Sequence, residues 1–130
     1  MSEWRRFGRS IRCAAEGIFH TIKTQRNMQI HVVAAVFALL ASWWLQIPVS
    51  DLLLVFAAIA LVWMMELANT AIEAVVDLVS PEWNAKAKIA KDASAGAALV
   101  AAILSVMIGI AVFGPPLYQK WLSWNMFGNG

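Results

Sequence analysis

The chain has 130 residues, 61% apolar and 14% charged, with a mean hydropathy of +0.66 and a net charge of +2. Soluble domains run at roughly half apolar and a quarter charged, so these values exclude disorder and disfavour a water-soluble domain, which at this length would leave much apolar surface wet. A single cysteine, Cys13, excludes a disulfide scaffold.

The basic residues are unevenly placed. Arg5, Arg6, Arg9, Arg12, Lys23 and Arg26 precede the first long apolar run, and Lys86, Lys88 and Lys91 precede the last. Attached to so apolar a body, this pattern fits the anionic face of a membrane and not nucleic acid. In residues 4–22, Trp4, Phe7, Ile11, Ala14, Ile18 and Ile22 recur at helical spacing with Arg and Lys between them. That predicts an amphipathic helix over 4–24, lying in the headgroup plane. It does not read as a signal peptide, because the first apolar run begins only at residue 32.

Three apolar runs follow: Val32–Leu45, Leu52–Met65 and Ala93–Tyr118. The first two, at 14 residues each, would also suit buried helices of a soluble protein, but uncharged or apolar neighbours extend both. About 20 residues span a bilayer, which predicts transmembrane helices over 28–47, 51–77 and 92–116. The stretch 46–51 (QIPVSD) reads as a turn without Lys or Arg, 78–91 as a polar connection and 117–130 as an interfacial or frayed tail. The positive-inside rule then places the N-terminus and 78–91 in the cytoplasm, with 46–51 and the C-terminus outside. The expected fold is one all-α membrane domain, a surface helix plus three transmembrane helices. A small-residue face on the third, Ala90, Ala93 and Ala97 with Gly96, signals close packing, within the chain or between subunits.

The second helix ends unusually. Glu66, Asn69, Glu73 and Asp77 fall at i, i+3, i+7 and i+11, a polar stripe on one face of an apolar helix. A solvated helix end accounts for Asp77 and partly for Glu73, but poorly for Glu66, which directly follows fourteen apolar residues. An intramembrane acid is a functional candidate. Like charges on one face need a positive partner: either Lys86, Lys88 and Lys91 form a structural network with them, or a divalent cation binds. Magnesium takes one or two carboxylates together with waters and phosphate oxygens, and Lys91 with Asp92 would complete such a site. The glycines form no Rossmann or Walker fingerprint, and one Cys with two His and no HExxH disfavours zinc. His31 reads as an interfacial or interhelical hydrogen bonder.

The segment ELANTAIEAVVDLVSPEWNAKAKIAKDASAGAAL (66–99) resembles the prokaryotic diacylglycerol kinase family, which includes the undecaprenol kinases. The family pattern, E-x-x-N-[ST]-A-I-E-x-x-V-D followed by A-K-D, is met by Glu66, Asn69, Thr70, Ala71, Ile72, Glu73, Val76 and Asp77, then Ala90, Lys91 and Asp92. The resemblance implies a homotrimer in the bacterial inner membrane that moves the γ-phosphoryl of ATP, with Mg2+, onto a lipid hydroxyl. It implies Glu66 as catalytic base, with Arg6, Glu66 and Asn69 toward the lipid substrate. It implies Glu73 and Gln25 as metal ligands, and Cys13, Gln25, Glu73, Asp77, Glu82, Trp83, Asn84, Lys91 and Asp92 as ATP contacts. The segment KTQRNMQIH (23–31) is similar to the family's T-E-R-N-x-x-I-H, and resembles its undecaprenol-type branch more than its proteobacterial diacylglycerol-type branch. It carries Gln25 where the family has glutamate. A glutamine carbonyl is a neutral, weaker magnesium ligand. The competing class is a small non-enzymatic oligomeric pore with Glu66 as its polar ring. The 66–99 signature and the confinement of the charges to one helix end speak against it.

Overall fold

A computed structural model describes residues 2–128. It is all-helical, with α1 at Glu3–Thr24, α2 at Arg26–Leu45, α3 at Val49–Val79 and α4 at Ala85–Phe127. The last three are long and apolar enough to cross a membrane. Much of their apolar surface faces outward, Phe37 at 68% exposure and Ile110 at 69% among it, as lipid-facing side chains do and a water-soluble fold of this size does not.

Gln25 makes the elbow between α1 and α2. Its backbone is extended, its N–H donates to the Thr21 carbonyl (2.9 Å) and its carbonyl accepts from Gln29 N–H (3.1 Å). The Gln29 side-chain amide donates back to the carbonyls of Ile22 (3.0 Å) and Lys23 (3.3 Å), satisfying two groups the end of α1 would otherwise orphan. The turn between α2 and α3 is short, with Gln46 in the left-handed conformation (φ 50°) that commonly closes a helix. Pro48 then precedes α3.

The packing follows the small residues. α3 and α4 form the principal pair, and α3 buries Val55, Ala58, Val62 and Glu66, one stripe at helical spacing. Opposite it α4 buries Ser94, Ala98, Ala101 and Val112. Alanines on both sides let the backbones approach closely, the main route to helix association in lipid. This differs from the face expected on α4: Ala93 and Ala97 are exposed and Ala90 and Gly96 half-buried. The intramolecular contact lies one position around the helix because Ser94 meets Asn69.

α4 is also longer than expected at both ends, 43 residues in all. At its start it takes in 85–91, so the connection shrinks to residues 80–84. Pro81 disfavours helix at Ser80 before it, and the Asn84 side chain accepts from the N–H groups of Lys86 (2.9 Å) and Ala87 (3.2 Å), an N-cap that starts α4. Asn84→Ala is therefore expected to cost about 1 kcal/mol, and Asn84→Ser much less. Thermal unfolding of both variants in the same detergent checks this. At its other end α4 runs through Pro115 and Pro116 to Phe127, across most of the stretch expected to be tail, whose last two residues lie outside the described ones. Each proline lacks the N–H that would bond the carbonyl four residues back, and its ring crowds that carbonyl. Beyond them Tyr118 stacks on Trp121 (centroids 6.1 Å apart) and the Lys120 ammonium lies 4.3 Å from the Trp44 ring centroid, tying the extension to the end of α2.

Candidate functional site

The stripe of α3 that packs the bundle through Val55, Ala58 and Val62 continues toward Val79 as Glu66, Asn69, Glu73 and Asp77. Exposure rises along it: Glu66 is buried, Asn69 and Glu73 are half-buried and Asp77 is exposed. The polar groups thus emerge step by step from the bundle. α2 supplies the partner for the deepest. Met28, Ala35 and Ser42 set the buried face of α2, and His31, on the same face, brings Nε2 to 3.3 Å from Glu66 Oε1, with side-chain exposures of 21% and 6%. The Thr70 hydroxyl donates to the Glu66 carbonyl (2.9 Å).

One turn on, α4 takes over. Ser94 Oγ donates to Asn69 Oδ1 (2.7 Å), and Asn69 Nδ2 donates to Glu73 Oε1 (3.4 Å). The amide therefore bridges the two helices and leaves one carboxylate oxygen of Glu73 uncommitted by that bond. At the exposed end Lys91 pairs with Asp77, while Lys88 pairs with Asp92 within α4. Of the two ways to neutralise the stripe, Asp77 uses the lysine.

Six of the residues expected to contact nucleotide share one open groove of about 370 Å³: Asp77, Glu82, Trp83, Asn84, Lys91 and Asp92. The groove lies where α3 ends and α4 begins, with Pro81 and Asn84 fixing the loop between. Lys88 and Lys91 bring positive charge to it, each paired with a carboxylate here, and the N-terminus of α4, its first N–H groups capped by Asn84, forms part of its wall.

The remaining expected residues lie elsewhere in the chain. Cys13 lines a separate groove on α1 with Arg9, Arg12 and Glu16. Arg6 is exposed and pairs with Glu3 at 3.4 Å. Gln25 is half-buried at the elbow. Among the described residues no three His, Cys, Asp or Glu side chains converge to hold a metal by themselves. The donor chemistry at Glu73 still fits magnesium, which needs only one or two protein carboxylates when a nucleotide supplies phosphate oxygens. Glu66 does not line the groove of Asp77 and Lys91. Eleven residues separate it from Asp77, about 16 Å along the helix.

Three features of the site go beyond what the sequence predicts. The capping role of Asn84 does carry a signal, an Asn directly before a helical run. Ser94, a lone hydroxyl near the start of an apolar run, hints at an interhelical bond without naming its partner. The interhelical role expected of His31 is met by Glu66, a partner the sequence does not name.

Comparison with known proteins places the chain in a family. The family profile "Prokaryotic diacylglycerol kinase" matches residues 12–113. The undecaprenol kinase of Bacillus subtilis is 39% identical over 116 residues, 89% of this chain and 94% of that protein. The diacylglycerol kinase of Synechocystis is 40% identical over 109 residues, 83% of this chain and 62% of that protein. The diacylglycerol kinase of Escherichia coli K12 is 35% identical over 75 residues, 58% of this chain and 62% of that protein. The alignment thus spans nearly the whole of the first relative and less than two thirds of the other two. The chain is a member of the prokaryotic diacylglycerol kinase family.

Proposed function

We infer that the chain is a lipid kinase, a phosphotransferase with an alcohol group as acceptor, and propose that it phosphorylates the hydroxyl of undecaprenol in preference to diacylglycerol. The family match, with relatives named undecaprenol kinase and diacylglycerol kinase, supports the reaction class. The pore reading is not favoured by it. For the acceptor, the support is the near full-length match to the undecaprenol kinase.

One observation carries the reading of the site: a buried carboxylate, Glu66, heads a helix face that ends in a groove holding Asp77, Glu82, Asn84, Lys91 and Asp92. ATP is the phosphoryl donor, held in that groove. Phosphoryl transfer demands alignment and charge neutralisation more than covalent help. Lys91 offsets phosphate charge once it turns from Asp77. Glu73 with its carboxylate and Gln25 with its amide carbonyl would hold Mg2+, which when bound would neutralise developing charge on the phosphate oxygens. Glu66 accepts the proton of the lipid hydroxyl as that oxygen bonds to the γ-phosphorus and ADP leaves. Arg6 and Asn69 face the lipid headgroup, and Cys13 lies toward the nucleotide.

The same reading sets the surroundings. The basic α1 lies in the headgroup layer of the bacterial inner membrane with its N-terminus in the cytoplasm, where ATP is. A single chain leaves Glu66 apart from the groove and α1's Arg6 and Cys13 apart from both, so a homotrimer with sites shared between subunits completes the constellation.

Purified protein in lipid bilayers with radiolabelled ATP, given undecaprenol and diacylglycerol side by side, tests the function. Label in undecaprenol phosphate well above that in phosphatidic acid is expected. The reverse order overturns the choice of acceptor, and label in neither overturns the kinase reading. Gln25→Glu tests the metal assignment. A carboxylate there adds a Coulombic attraction to the divalent ion, so the magnesium concentration for half-maximal rate is expected to fall several-fold. An unchanged magnesium titration places Gln25 outside the metal's contacts.

A further inference from the structure

We propose that His31 is a positioning residue for the transfer reaction, holding the Glu66 carboxylate so that one oxygen is fixed and the other is free for the lipid hydroxyl. The proposal rests on the reading of Glu66 as base.

The geometry is specific. His31 Nε2 lies 3.3 Å from Glu66 Oε1, and both side chains are largely withdrawn from solvent. Contacts of catalytic groups are often long in the free enzyme and tighten only when substrate binds. A turn of the imidazole that aligns Nε2–H with Oε1 completes an N–H···O bond at this separation. His31 is fixed from below, because Met28, three residues earlier, is fully buried, and the Gln25 elbow pins the start of α2. The surroundings are dry. His31 borders an apolar cavity of about 200 Å³ with Ala34, Ala35, Val62 and Trp63, and among the described residues it is the one ionisable side chain lining it. In such low-dielectric surroundings a polar contact is stronger, and a carboxylate left unpaired is costly.

A carboxylate on a long side chain rotates about three bonds unless something holds it. Here Thr70 bonds only the Glu66 backbone carbonyl, so it leaves the carboxylate unrestrained. His31 supplies the restraint at Oε1. With that oxygen engaged, Oε2 keeps its lone pairs for the incoming hydroxyl. In the step itself the lipid O–H bond breaks, its proton goes to Oε2, the lipid oxygen bonds to phosphorus and the bond to ADP breaks.

The test is a set of variants assayed in bilayers with ATP and undecaprenol. His31→Leu removes the contact and keeps bulk on the α2 face. It is expected to lower kcat about 10- to 100-fold, the effect of losing the partner that orients a metal ligand in comparable sites, with KM for ATP unchanged, because the nucleotide groove begins only at Asp77. His31→Gln, whose amide can donate to the same oxygen, is expected to restore most of the rate. In a Glu66→Gln background, His31→Leu should cause no further loss, since a positioning residue acts only through what it positions. Wild-type kcat in His31→Leu overturns the proposal. So does a His31→Gln enzyme as slow as His31→Leu, or a loss that adds to that of Glu66→Gln. Should His31→Leu fail to fold, His31→Asn, whose amide is too short to reach Oε1, takes its place: a fall in kcat of about 10-fold or more that vanishes in the Glu66→Gln background supports the role, and a wild-type rate refutes it. If Glu66→Gln itself keeps full turnover, the assignment of the base has failed, an outcome separate from all of these.

Discussion

Glu66→Gln is expected to reduce lipid phosphorylation by about 10²–10⁴-fold, the range for loss of a general base, while the protein keeps its fold and assembly. The amide matches the carboxylate in shape and still offers an oxygen to His31, so the α2–α3 contact survives. What disappears is the ability to take a proton. Packing also argues for a benign structural effect. Glu66 shares its stripe with Val55, Ala58 and Val62, and a neutral group buried there costs less to desolvate than a charged one. Radiolabel transfer at saturating ATP and lipid, together with thermal unfolding and crosslinking of the purified variant, checks both halves. Turnover at the wild-type rate in a folded Glu66→Gln protein removes Glu66 from the chemistry.

The polar stripe of α3 is legible in the sequence for a plain physical reason. Helical periodicity fixes which residues share a face, and the cost of carboxylates in lipid makes an acid after fourteen apolar residues stand out. The link to Lys91 is legible only as one of two alternatives, because like charges on one face need a positive partner and Lys86, Lys88 and Lys91 are the nearest basic residues in the chain. What the sequence hides has equally physical causes. Lys86, Lys88 and Lys91 interrupt the apolar pattern of α4 and suggest a connection, yet lysine is a good helix former and Asn84 starts the helix before them. Pro115 and Pro116 suggest an end, but the contacts of Tyr118, Trp121 and Lys120 hold the helix past them. The meeting of His31 with Glu66 depends on how far α2 slides along α3. That offset is set by the left-handed Gln46 and by Met28 beneath the elbow, and no periodicity within a single helix reports it.

The separation of Glu66 from Lys91 leads to the second large effect. Lys91 sits beside Asp77, about 16 Å along α3 from Glu66, farther than one transferring phosphoryl group bridges. Within a trimer the gap closes if the nucleotide groove of one subunit faces the Glu66 of its neighbour. The exposed Ala93 and Ala97 of α4 offer a small-residue surface on which subunits can approach closely. Lys91→Ala alone should be nearly inactive for want of the cation at the phosphates, and Glu66→Gln for want of the base. Mixed in equal amounts, unfolded or detergent-exchanged and reassembled, the two inactive proteins should regain activity. With random assortment, roughly a quarter of the sites pair an intact Glu66 with an intact Lys91 on the adjacent subunit. A site contained in one chain would regain none, because every chain carries one lesion. Recovery of about that fraction of the wild-type rate, with mixed trimers verified by differently tagged subunits, is the expected result. Verified mixed trimers that stay inactive would place Glu66 and Lys91 of one catalytic site on the same chain.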